Sequence, residues 1–100
     1  MPTIQEALQY LGIDYADDMV TANVTRNLAT AKKVLQGAVG ADVETYLKDD
    51  SRVKELVLMY VEDLYGERGS SSKTNSAKRR IVDDMEWQLR LELRKAKGDA

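Results

Sequence analysis

The sequence predicts an all-α fold, a small bundle of about four helices. Three observations carry that reading. Apolar residues recur at helical spacing through each long segment, and helix start and stop signals bracket those segments. Strand signals are missing: there is no period-two run, no Asn-Gly turn and no β-branched cluster. One hundred residues give room for one domain and one modest core, whose stability would be marginal without partners.

The first helix is short. Thr3 and Glu6 have capping-box spacing with Pro2 just ahead, and Ile4, Ala7, Leu8 and Leu11 form a buried stripe. Gly12 supplies a left-handed stop, and Ile13 leads into the acidic loop Asp14-Tyr15-Ala16-Asp17-Asp18. The second helix is expected from about Asp18 to about Val39, capped by Asp17 or Asp18. It carries Val20, Val24, Leu28, Ala31, Leu35 and Ala38 on one face, and Asn23, Arg26, Asn27, Thr30 and Lys33 on the other. Gly37 weakens its last turn and Gly40 ends it.

Residues 40 to 51 read as a polar connection with room for a turn of helix around Val43 to Leu47, and Asp49, Asp50 or Ser51 caps the third helix. That helix, about Arg52 to Glu67, is the most apolar. Val53, Leu56, Val57, Tyr60, Val61 and Leu64 give a wide stripe, with Leu58, Met59 and Tyr65 on its flanks. Apolar character over so much of a circumference means either a core that uses all of it or packing on two sides, which in a small domain points to a subunit interface. The second and third helices should form the central antiparallel pair, with the first across them.

Gly69 to Ser76 has the composition of a flexible linker and is long for a turn inside a tight bundle. The fourth helix, about Ala77 to Lys97, repeats Ile81, Met85, Leu89 and Leu93 every four residues, while Trp87 and Leu91 fall away from that stripe. The chain thus divides into a helical core at 1–68, a linker at 69–76 and a C-terminal helix at 77–97. That last helix is either a permanent member of the bundle or an arm that moves on the linker.

The chain has no cysteine and no histidine, which removes disulfides, thiolate zinc sites and the commonest general base and metal ligand. Adjacent acids at Asp17-Asp18, Asp49-Asp50, Glu62-Asp63 and Asp83-Asp84 point about 100° apart on a helix and do not converge on one substrate. Asp14 to Asp18 lacks the glycine and distal Glu of a calcium loop, and Gly66-Glu67-Arg68-Gly69 lacks the lysine of a phosphate loop. The expectation is a non-enzyme with no catalytic residue, cofactor or metal. No apolar run approaches the roughly 18 residues of a membrane span. The first residues lack the basic and apolar regions of a signal peptide, so a cytoplasmic place of synthesis and no membrane partner are expected.

Charge is unevenly spread. Residues 1–68 hold seven Lys/Arg against twelve Asp/Glu, and residues 69–100 hold eight against five, a dipolar layout that could orient neighbouring subunits. Lys78, Arg79 and Arg80 sit in the first turn of the last helix, against its dipole, and are candidates for contact with DNA or an acidic partner. Trp87 is either a core residue closing the last helix on the body or an interface anchor. Candidate subunit contacts are Leu58, Met59 and Tyr65 on the third helix and Trp87, Arg90, Leu91 and Arg94 on the fourth.

The order of these elements resembles the head–tail connector (adaptor, head-completion) proteins of tailed bacteriophages. The resemblance runs over about residues 3 to 94. It consists of the start Thr3-Ile4-Gln5-Glu6-Ala7-Leu8-Gln9-Tyr10-Leu11-Gly12-Ile13, an Asp-Asp loop, a long alanine-containing helix ending in Gly, and an apolar helix closing on Leu64-Tyr65-Gly66-Glu67-Arg68. A polar linker and a final helix with Leu89-Arg90 complete it. Family members often carry an aromatic and Thr-Gly where this chain has Ala38-Val39-Gly40. The resemblance implies a ring of about a dozen copies, seated on the portal protein and offering a platform to a tail-completion or stopper protein. DNA would pass through the channel without sequence specificity, and the assembled protein would sit at the head–tail junction of the virion. A different class of function also fits: a small helical DNA-binding or regulatory protein using Lys78, Arg79 and Arg80 on phosphates.

Overall fold

The computed structural model of the chain describes residues 1–66 and 76–98. The described residues are all helix and connection, without strand: α1 (Ile4–Tyr10), α2 (Asp18–Ala38), α3 (Val43–Tyr46), α4 (Ser51–Gly66) and α5 (Ser76–Ala96). The expected linker lies, except for Ser76, outside the described residues, as do Glu67 and Arg68.

The helix ends obey local chemistry. Thr3 accepts a hydrogen bond from the Glu6 amide at 3.1 Å while the Glu6 carboxylate accepts from the Thr3 amide at 2.9 Å, completing a capping box. Of the two aspartates expected at the next start, Asp17 is the cap, accepting from the Val20 amide at 2.9 Å. Asp50 takes that part at α4, accepting from the Arg52 amide at 2.9 Å. Gly12 adopts φ +76°, the left-handed value that releases the chain from α1.

α2 and α4 make the most extensive contact, and α1 packs on both. α5 lies on α4 and on the short α3. The bonds Arg52 to Gln88 and Lys78 to Glu62 pair the start of α4 with the later part of α5, and the end of α4 with its beginning. These two helices therefore run in opposite directions. The core is apolar throughout: Val24, Ala31 and Leu35 of α2, Val43 of α3, Val53, Leu56, Val57 and Val61 of α4, and Leu89 of α5 are fully buried. No polar or charged side chain among the described residues is buried in it.

The wide apolar arc of α4 is satisfied within the chain, because α1, α2 and α5 surround it. Leu58 joins the buried core at 7% exposure. Its expected place on a subunit surface is thereby corrected: α4 meets neighbours on three sides, so a flank position becomes an interior one. Met59 and Tyr65 stay half-buried, and Tyr65 packs against the core.

Candidate functional site

α5 has two unlike faces. The inward face runs through Lys78, Val82, Met85, Leu89 and Leu93. The expected four-residue stripe drifts about 40° per step around a helix of 3.6 residues per turn. That drift carries Ile81, at its start, to an exposed flank. Trp87 lies about 160° from Leu89 around the same helix, and it is 59% exposed. The core reading of Trp87 is corrected accordingly. Leu91, one turn on, is also exposed, and the Arg90 guanidinium stands 5.8 Å from the Trp87 ring centre, a cation–π distance. Arg94 is exposed beside them. Four of the seven candidate subunit contacts, Trp87, Arg90, Leu91 and Arg94, therefore share one outer surface.

Next to this surface, where the end of α2 meets α5, lies a cleft of ≈ 310 Å³ lined by Val39, Gly40, Arg90, Leu93, Arg94 and Lys97. Arg90 donates to the Ala38 carbonyl at 3.2 Å, filling one of the acceptors left open at the end of α2, and Lys97 pairs with Asp42 at 3.0 Å. Gly40 is required here. Its φ is +153°, and a β-carbon on it would stand 2.5 Å from Leu93 Cδ2.

The basic cluster at the start of α5 is divided. Lys78 reaches back to α4, donating to Glu62 at 2.5 Å and to Asp63 at 3.1 Å, while Arg79 and Arg80 face solvent. Burial pulls the Lys78 ammonium toward neutrality, but the two carboxylates outweigh it and its pKa is raised. Glu62 and Asp63 thus meet one cation, because a long lysine stem from a neighbouring helix bridges two adjacent directions.

Other polar contacts join the helices. Arg52 holds Asp50 through two side-chain bonds, at 3.0 and 2.7 Å, and reaches Gln88 of α5 at 3.1 Å; the guanidinium keeps the Asp50 carboxyl below its usual range. The Tyr60 hydroxyl donates to Glu86, and burial together with that carboxylate pushes the phenol well up. Lys54 pairs with Glu6, lowering that carboxyl chiefly through their hydrogen bond.

Sequence reasoning misses a second exposed set. Tyr15 is 86% exposed and Met19 is 73% exposed, between and beside the exposed Asp14, Asp17 and Asp18. A signal for it exists, since Met19 falls outside the Val20–Val24–Leu28 stripe by helical spacing. Among the described residues, no group of three or more acidic side chains could hold a metal ion, and no helix is long and apolar enough to cross a membrane. No family model, curated protein or solved structure matches the chain.

Proposed function

We propose that this chain is a structural ring subunit that joins the portal of a tailed bacteriophage head to the tail and extends the DNA channel, as the resemblance of residues 3 to 94 implies. The observation that carries the reading is the outer face of α5. A subunit whose described core is closed and apolar nonetheless presents an exposed Trp–Leu pair beside two arginines, and Trp and Arg are residue types that anchor protein interfaces. In this reading α2 and α4 form the rigid antiparallel centre, and α5 offers its outer face to the next copy, to the portal or to the stopper protein. A ring of about a dozen copies needs two unlike, complementary patches on each subunit. The DNA in its channel is met without sequence specificity. The competing reading, a DNA-binding regulator, relies on Lys78, Arg79 and Arg80 together, and Lys78 is committed to Glu62 and Asp63.

The test is assembly on purified portal rings, read by co-sedimentation and negative-stain imaging. The expected result is an added ring coaxial with the portal, lost on Trp87→Ala. A chain that does not co-sediment with portals, whether or not it forms rings at high concentration, would refute the proposal, and a salt-dependent DNA mobility shift at low micromolar protein would favour the regulator instead.

A further inference from the structure

We infer that copies of this chain bind head to tail, with the acidic loop that opens α2 of one copy seated on the arginine-flanked outer face of α5 in the next. The inference rests on the ring-subunit reading and supplies its contact. Both surfaces are exposed and pair apolar groups with charge: the loop is acidic, and the receiving face is basic beyond Trp87, where Arg90 and Arg94 stand, with Asp83 and Asp84 one turn before it on the same helix. The loop offers Tyr15 and Met19 among Asp14, Asp17 and Asp18. The receiving surface offers Trp87 and Leu91 beside Arg90 and Arg94. Arg94 has no carboxylate partner among the described residues, and the adjoining ≈ 310 Å³ cleft has room for a carboxylate side chain. An arginine fork there can take a carboxylate in two parallel bonds.

The positions of the two surfaces decide how they can meet. The loop stands at the beginning of α2 and the cleft at its end, so the 21 residues of that helix hold them about 31 Å apart at 1.5 Å per residue. One chain cannot close the contact on itself. Repeated between copies, it joins opposite ends, and a contact between unlike patches closes into a ring when the rotation permits.

The experiment uses the full chain alone, by sedimentation velocity over rising concentration at low and high salt. Mass should grow past the dimer and fall back in salt. Arg94→Glu alone, and Asp14→Lys with Asp18→Lys, should each weaken association at least about tenfold. All three substitutions in one chain should restore it, because the charges are then exchanged across the same contact. Circular dichroism checks that these exposed substitutions leave the fold intact. A wild-type chain that stays monomeric at high concentration, or stops at a reciprocal dimer, overturns the inference, as do variants that associate like wild type. If such a chain still adds a ring to the portal, the connector reading survives and only this contact falls. Charge-controlled growth in a chain that ignores portals would uphold the contact and sink the connector reading.

Discussion

Two glycines three positions apart should respond to alanine in opposite directions. Gly37 lies inside α2, where an added β-carbon meets nothing within 4 Å. Alanine is favoured over glycine in a helix interior by about 0.5–1 kcal/mol, so Gly37→Ala should stabilise by about that amount. Gly40 has φ +153°, and its added β-carbon would stand 2.5 Å from Leu93 Cδ2, a side chain only 5% exposed. Strained backbone costs about 1–3 kcal/mol and overpacking about 1–3 more. Rotation of Leu93 relieves part of the second cost, leaving a loss of about 2–4 kcal/mol. At about 4–8 °C per kcal/mol for a domain of this size, Gly37→Ala should raise Tm by about 2–8 °C and Gly40→Ala should lower it by about 10 °C or more. Thermal and urea unfolding followed by far-ultraviolet circular dichroism measure both. The cost of Gly40→Ala should shrink when Leu93→Ala is also present, since the two substitutions share one space. A Gly40→Ala protein as stable as wild type would mean that α5 is not seated on this corner. A destabilised Gly37→Ala would mean that α2 is not open to solvent there.

Leu56 is fully buried, and Leu56→Asp should unfold the chain, because an unpaired buried charge costs several kcal/mol; a native dichroism spectrum would refute the placement of that face. Asp50→Ala should cost about 0.5–2 kcal/mol at neutral pH by removing the α4 cap and the Arg52 partner. Because the folded pKa of Asp50 lies below its ordinary 3.8, the stability its charge contributes is present above that value and is lost as pH falls through the lower folded pKa. The gap between Asp50→Ala and wild type should therefore narrow in acid, and a pH-independent gap in denaturant titrations would count against the assignment. Amides of α5 from 85 to 93 should exchange as slowly as those of α4 in the isolated chain, since Leu89 is fully buried and Gln88 and Glu86 are tied to Arg52 and Tyr60. Fast exchange there would instead favour an arm that docks only on assembly.

The parts of the fold legible in the sequence are those set by neighbours along the chain. The Thr3–Glu6 box, the Asp17 cap, the Gly12 stop and the Val24–Leu28–Ala31–Leu35 stripe each need only a few adjacent residues, and each stands where the spacing puts it. What is not legible depends on which helix lies beside which. The apolar excess of α4 is compatible in sequence with either a core that uses all of it or an outside partner; in the fold three neighbours inside the chain take up most of it, and Leu58 with it. Four-residue steps on α5 suggest a straight stripe, whereas a real helix winds that line around its axis and leaves Ile81 outside. Lys78 looks misplaced against its own helix dipole, and its explanation lies on another helix, at Glu62 and Asp63. The same limit applies to the candidate site. Its residue types are visible, but the gathering of Trp87, Arg90, Leu91 and Arg94 on one surface, and the placing of Tyr15 and Met19 at the far end of α2, are properties of the packed helices.

The chain has one tryptophan, and it stands outside the core beneath a guanidinium. This gives the protein an unusual optical behaviour. At 59% exposure Trp87 should emit from a largely wet environment in the native subunit, so melting the helices should change the colour of its emission little. The same indole should shift to the blue and lose its sensitivity to dissolved quenchers once another surface covers it. Fluorescence and circular dichroism thus separate in this molecule into two independent signals, one for contact and one for folding, without any label being added.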